Sequence, residues 1–87
     1  MQSQNMKDIG AIIRFHRKQS GMSQRGLADM AGVGKTAVFD LEKGKATVRL
    51  DTLYKICRVL NIRLILDGPL MEQWQAQGQA DSQTAEM

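Results

Sequence analysis

Residues 22–44 of the chain read MSQRGLADMAGVGKTAVFDLEKG, a pattern typical of two short helices joined by a tight turn. Ser23 suits the start of the first helix, because its hydroxyl can accept a hydrogen bond from a free amide of the first turn. Gly32 suits its end, because glycine tolerates the positive φ of a left-handed cap. A second helix is expected from Lys35 to Lys43, and Gly44 closes it. The stretch therefore predicts a helix-turn-helix.

The same stretch meets the packing demands of that motif. Ala28 supplies a small side chain where the two helices cross closely. The apolar residues of both helices can point into one core; they are Leu27, Val33, Val38 and Leu41.

One further helix is expected on each side of the motif. Apolar residues at Ile9, Ile12 and Ile13 follow the spacing of one helix face, which predicts a helix over about residues 7–20. After the motif, Asp51 is expected to cap a fourth helix that ends near Asn61. Its apolar positions recur at helical spacing; they are Leu53, Tyr54, Ile56, Cys57 and Leu60.

The pattern changes after Asn61. Ile62, Leu64 and Leu66 alternate with Arg63, Ile65 and Asp67, and Gly68-Pro69 ends the run, which favours a strand. One strand cannot satisfy its own backbone, and no second strand is evident, so the economical partner is the same segment of another copy. The alternative is that residues 62–67 end the fourth helix and pack on the core.

These elements divide the chain into three parts: a helix-turn-helix domain over residues 1–61, a dimerisation strand over 62–69 and a flexible acidic tail over 70–87. All 12 Lys and Arg and six of the nine acids lie before residue 70, so the body is basic and the tail acidic. This imbalance favours a polyanionic partner, although an ordinary solvated basic surface gives the same sum. In the tail, Trp74 is either an anchor for a partner or part of a linker.

Helical geometry divides the third helix into two faces, since each residue advances the direction by about 100°. We expect the outward face to read base edges in a major groove; it holds Lys35, Thr36, Phe39 and Asp40. Phe39 either contacts a thymine methyl group or folds back on a neighbouring helix. A surrounding set is expected to contact phosphates without reading sequence; it comprises Ser23, Gln24, Arg25, Lys43 and Lys45.

An enzyme is not expected. His16 is the only histidine and Cys57 the only cysteine, and both fall in apolar helix patterns that indicate packing roles. Gly34-Lys35-Thr36 has the ending of a phosphate-binding loop, but the preceding glycine at the required spacing is missing. We therefore expect no catalytic residues, no metal site and no cofactor. The single cysteine and the lack of a long apolar run predict a cytoplasmic protein.

Residues 22–44 resemble the helix-turn-helix of the lambda repressor and Cro (XRE) family. The match consists of Gln24, Leu27, Ala28 and Gly32 in the family pattern Gln-x-x-Leu-Ala-x-x-x-Gly, and it extends to Glu42 and Gly44. The resemblance implies a lambda repressor-like all-α bundle of four to five helices with the third as recognition helix. It also implies that Glu42 pairs with Arg17 as a structural lock.

The segment from Thr47 to Leu66 further resembles the HipB-type antitoxins, in which a strand replaces the fifth helix and pairs across a homodimer. This resemblance implies an autorepressor of a type II toxin-antitoxin operon with a HipA-like serine/threonine kinase toxin as partner. It also implies a bacterial protein that is nucleoid-associated when bound to DNA. Pairing through Ile62, Leu64, Ile65 and Leu66 would match the dimer to an inverted-repeat operator in double-stranded DNA. Two alternatives stay open: a stand-alone or phage-type regulator without a toxin, and a scaffold whose basic face binds an acidic protein.

Overall fold

The computed structural model describes residues 5–77, which form five helices. They are α1 (Met6–Gln19), α2 (Gln24–Ala31), α3 (Lys35–Glu42), α4 (Leu50–Val59) and α5 (Met71–Gln77). The first four agree in order and approximate extent with the helices expected from the sequence. α2 packs on α3 and α4, and α1 and α4 both pack on α3, so α1 to α4 enclose one core.

The core is aliphatic and draws on every one of these four helices. The largest fully buried side chains are Ile13, Leu27, Val38, Leu41 and Ile56. The buried cluster is completed by Ala28, Leu53, Cys57 and Leu60. Most apolar positions that the sequence pattern placed inside therefore lie inside. The others are only half-buried, namely Ile9, Ile12, Val33 and Tyr54.

The ends of α2 follow from local chemistry. The Ser23 hydroxyl accepts a hydrogen bond from the amide of Gly26 at 2.9 Å and so caps the first turn. Gly32 ends the helix with a φ of 72°, in the left-handed region that favours glycine. Because both caps are made by the chain's own neighbouring residues, the turn into α3 is defined locally.

The start of α4 differs from the expectation. Asp51 is not the cap but lies in the first turn, and the helix begins at Leu50 with Arg49 at the N-cap position. An acidic side chain in the first turn interacts favourably with the positive end of the helix. Asp51 also accepts a hydrogen bond from Nε of the N-cap residue Arg49 at 3.2 Å.

The segment between α4 and α5 is neither helix nor strand within this chain. It does not continue α4, because Asn61 has a φ of 60° and breaks the helix. The expected pairing of residues 62–66 with a second copy is not tested by a single chain and stays a prediction.

The beginning of the acidic tail carries an element that the sequence pattern did not predict. Residues 71–77 form the short helix α5, in which no residue is buried. Trp74 donates its backbone amide to the carbonyl of Leu70 at 3.0 Å, and its side chain is 44% exposed. Residues 78–87 of the predicted tail lie outside the described residues.

Candidate nucleic-acid interface

α3 has one face in the core and one in solvent. Val38 and Leu41 are 0% exposed, which anchors the helix against α1, α2 and α4. Lys35, Thr36 and Lys43 are exposed on the other side. One arc of the helix thus holds the four residues expected to read bases, together with Lys43. Within this arc, Asp40 is only half-exposed.

Phe39 lies at the surface of this arc rather than in the core. Its side chain is 45% exposed. The ammonium group of Lys43 lies over the ring, 5.0 Å from its centroid, in a cation–π arrangement. A phosphate-contacting candidate and a base-reading candidate are therefore held together one helical turn apart.

Asp40 is tied to the loop that follows α3. The Nζ atom of Lys45 lies 3.7 Å from an Asp40 carboxylate oxygen. The backbone amide of Lys45 also donates to the Asp40 carbonyl at 3.1 Å, so this loop returns to the helix. Lys45 therefore offsets the negative charge that Asp40 places on the recognition face.

At the start of α2, two of the residues predicted to contact phosphates already make hydrogen bonds within the chain. Ser23 caps the helix through its oxygen, and Gln24 donates from Nε2 to Glu42 Oε1 at 3.1 Å. Arg25 is exposed. These side chains lie at the positive end of α2, and such a helix end favours an anion.

Glu42 and Arg17 form a buried ion pair behind this surface. Arg17 Nε donates to Oε2 of Glu42 at 2.6 Å and Nη2 donates to Oε1 at 3.0 Å. Only 9% of the Arg17 side chain and 3% of the Glu42 side chain are exposed. The hydrogen bond to Glu42 raises the pKa of Arg17, against the effect of burial, which lowers it. The pair that the family resemblance implied is thus present, and it joins α1 to α3.

Two basic residues near the recognition face were not predicted from the sequence. Arg14 on α1 lines a groove with Gln24, Phe39 and Lys43. Arg49, before α4, lines another groove beside Thr36 and Asp40. Arg14 lies outside the apolar stripe of α1, and this position predicts that it is exposed. The pattern does not predict that it lies close to α3. No local signal in the sequence could have brought Arg14 to the motif.

The two residues considered for catalysis have packing roles. His16 Nδ1 lies 2.7 Å from the Ile12 carbonyl oxygen, and the ring meets Phe15 edge-on. Cys57 is buried, and its burial raises the pKa of the thiol, which disfavours a reactive thiolate. Within residues 5–77, no three metal-ligating side chains come together.

A scan against protein-family models matches residues 13–66 to the helix-turn-helix family HTH_3. The match covers α2, α3 and α4 entirely and half of α1. The chain belongs to the helix-turn-helix family. It is a DNA-binding transcriptional regulator of the HTH type. Because this family is non-enzymatic, the chain is not an enzyme, which agrees with the expectation from the sequence.

The curated relatives of this helix-turn-helix regulator are of the same type. It is 36% identical over 62 residues to the uncharacterized HTH-type transcriptional regulator y4mF of Sinorhizobium fredii, covering 71% of this chain and 82% of that protein. It is 35% identical over 78 residues to the competence pilus inhibition repressor of Acinetobacter baylyi, covering 78% of this chain and 71% of that protein.

Solved structures share the fold. A chain of the structure titled "HipB-O4 20mer complex" superimposes with a TM-score of 0.69 at 20% identity, covering 79% of this chain and 97% of that chain. A chain of the structure titled "Structure of HipA-HipB-O2-O3 complex" matches with the same TM-score, identity and coverage. The predicted lambda repressor-like helical fold is therefore confirmed. No helix within residues 5–77 has the length and apolar character needed to span a membrane.

Proposed function

We propose that this helix-turn-helix regulator is a sequence-specific repressor that places α3 in the major groove of double-stranded DNA. The observation that carries the proposal is the two-sided character of α3. Val38 and Leu41 fix the helix in the core, while Lys35, Thr36 and Phe39 remain at the surface. A rigidly held helix with an exposed polar face is what direct reading of base edges requires.

Each predicted DNA-contacting residue has a role in this proposal. Lys35 and Thr36, in the first turn of α3, donate to or contact base edges, and Phe39 contacts a thymine methyl group. Asp40 accepts from a cytosine amino group, with Lys45 holding its carboxylate. The phosphate contacts come from the surrounding donors, namely Ser23, Gln24, Arg25, Lys43 and Lys45.

We further propose that the regulator acts as a homodimer joined through residues 62–66. Within residues 5–77, the backbone of residues 63–67 has no backbone hydrogen-bond partner. Ile65 and Leu66 are 74% and 79% exposed, and Leu64 is 37% exposed. A segment with unpaired backbone and exposed apolar side chains is a template for pairing with the same segment of another chain. A second copy of the segment would supply both the backbone partners and the apolar contact.

A matched pair of variants on α3 tests the DNA-reading proposal. Binding sites are first selected from random duplexes, and the affinities of Lys35→Ala and Lys43→Ala are then measured on the selected site and on each single-base change of it. We expect Lys35→Ala to lose discrimination at one base position, by about 1 to 3 kcal/mol. Lys43→Ala should weaken all sequences alike, because phosphates carry no sequence information.

Equal losses on selected and random DNA for Lys35→Ala would remove Lys35 from the base-reading set. Failure of the wild-type chain to bind any duplex at low salt would reject the repressor proposal as a whole. It would favour the alternative of a scaffold whose basic face binds an acidic protein.

As a finer assignment, we propose that the chain is the antitoxin of a type II toxin-antitoxin system and binds a HipA-like kinase toxin while repressing its own operon. Support comes from the fold shared with HipB and from the irregular segment after α4, where the HipB-type resemblance places the dimer strand. The second candidate is a stand-alone regulator. Its support is the sequence identity to the Acinetobacter baylyi repressor, which at 35% is higher than the 20% to HipB. The name of that repressor includes no toxin.

Capture of the tagged chain from its native host at endogenous level separates the two candidates. Nuclease treatment before elution removes proteins bridged only by DNA. A stoichiometric kinase-like protein in the eluate is the result expected of an antitoxin in the bacterial cytoplasm. Recovery of the chain alone, as a dimer, would leave a stand-alone repressor and reject the toxin partner.

A further inference from the structure

A basic groove adjoins the recognition face where α1, α2 and α3 meet. It has a volume of about 360 Å³ and is lined by Arg14, Gln24, Phe39, Glu42 and Lys43. Phe39, Gln24 and Lys43 are all residues that the proposed function directs toward DNA. Glu42 belongs to the structural pair with Arg17. Arg14 has no role in that proposal, because it comes from α1, outside the helix-turn-helix.

The negative charge of Glu42, the one carboxylate that lines this groove, is offset by the buried cation Arg17. Both oxygens of Glu42 accept hydrogen bonds from the buried guanidinium of Arg17, at 2.6 and 3.0 Å. Oε1 also accepts from Gln24 at 3.1 Å. The groove therefore presents the charges of Arg14 and Lys43 with little opposing charge, and it favours an anion.

Within residues 5–77, neither Arg14 nor Lys43 is paired with an acidic side chain. Ion pairs in this part of the chain join Arg17 to Glu42, Lys45 to Asp40 and Arg49 to Asp51. Both cations of the groove belong to exposed residues. Lys43 is instead held over the Phe39 ring, which keeps its ammonium group at the groove.

We infer that this groove binds a backbone phosphate of the DNA duplex, with Arg14 as a phosphate-binding residue beside Lys43. The inference rests on the proposed function, because it takes α3 to be in the major groove. A guanidinium can bind two phosphate oxygens at once, whereas the Lys43 ammonium acts as a point charge. The DNA interface then extends from the helix-turn-helix onto α1.

The test compares Arg14→Ala with Lys55→Ala in the full chain. Lys55 is an exposed cation on α4, and it lines a groove that shares no residue with this one. The probe is a labelled random-sequence duplex of about 30 base pairs, long enough for two successive major grooves. Affinity is measured over a series of salt concentrations, and thermal unfolding checks that each variant is folded.

We expect Arg14→Ala to weaken binding about tenfold per half-site, as for removal of one charge-assisted hydrogen bond. If the wild-type dimer neutralises about six phosphates, the slope of log affinity against log salt concentration is about −5. In the variant this slope should become shallower by about 0.9 for each phosphate that is no longer neutralised. Arg14→Lys should recover part of the affinity, and Lys55→Ala should bind as the wild type does. The same factor is expected on a selected binding site.

An Arg14→Ala variant with the affinity and salt slope of Lys55→Ala would overturn the inference and leave the proposed function standing. A loss confined to the selected site would also overturn it, because a phosphate contact is indifferent to sequence. If the wild-type chain binds no duplex, the proposed function itself fails.

Discussion

At the scale of the residue, Glu42 is the point at which three helices are tied together. It accepts hydrogen bonds from Arg17 of α1 and Gln24 of α2 while it ends α3. Because the pair is buried, Glu42→Ala would leave an uncompensated guanidinium in the fold. We expect a loss of about 3 kcal/mol in the free energy of unfolding, measured by urea denaturation.

The chain offers a matched control for this substitution. Asp51 also pairs with an arginine, Arg49, but 81% of the Arg49 side chain and 52% of the Asp51 side chain are exposed. Solvent screens such a pair, and Asp51 otherwise interacts mainly with the positive end of α4, so Asp51→Ala should lower the urea midpoint far less than Glu42→Ala does. Equal midpoints for the two variants would show that burial of the Arg17–Glu42 pair has no effect on stability.

At the scale of the element, the packing of α1 on α3 depends on Gly10. A Cβ atom at this position would overlap the carbonyl oxygen of Leu41 and lie 2.9 Å from that of Glu42. These are backbone atoms and cannot rotate away, so α1 would have to shift. We expect Gly10→Ala to lower the free energy of unfolding by about 2 to 3 kcal/mol, despite alanine's helix propensity, which favours it by about 1 kcal/mol.

The control for this element is Gly68→Ala, because nothing lies within 4 Å of a Cβ atom there. That variant should unfold at the same temperature as the wild type. A Gly10→Ala variant as stable as Gly68→Ala would mean that α1 can move away from α3 at no cost.

At the scale of the whole molecule, residues 62–66 decide whether two recognition helices act together. Ile65→Pro removes a backbone N–H from the proposed pairing and leaves the core intact, because Ile65 is 74% exposed. We expect sedimentation equilibrium to show a dimer for the wild type and a monomer for the variant. Affinity for an inverted repeat should then fall toward that of one half-site.

Leu70→Ala is the control, since Leu70 is also exposed but lies outside the segment. It should remain dimeric. A monomeric wild-type chain at micromolar concentration, or a dimeric Ile65→Pro variant, would contradict dimerisation through this segment.

The sequence by itself determined the helices of the core, because their signals are local. Ser23 and Gly32 cap α2 with atoms a few residues away, and the apolar spacing in α3 defines both its buried and its exposed face. The polar face of the recognition helix, and with it most of the candidate site, was readable for the same reason. The short helix α5 was not, since its seven Gln-rich residues hold only Met71 and Trp74 as large apolar side chains, too few for a helical pattern.

Only the tertiary structure decided what lies next to what. It brought Arg14 into the groove of Phe39 and Lys43, and it brought Gly10 against the end of α3. It also turned Lys45 back onto Asp40. These contacts depend on how the helices cross, and the crossing depends on the whole core rather than on spacing along any one helix. A pattern in one helix records which residues face inward but not which neighbour they meet.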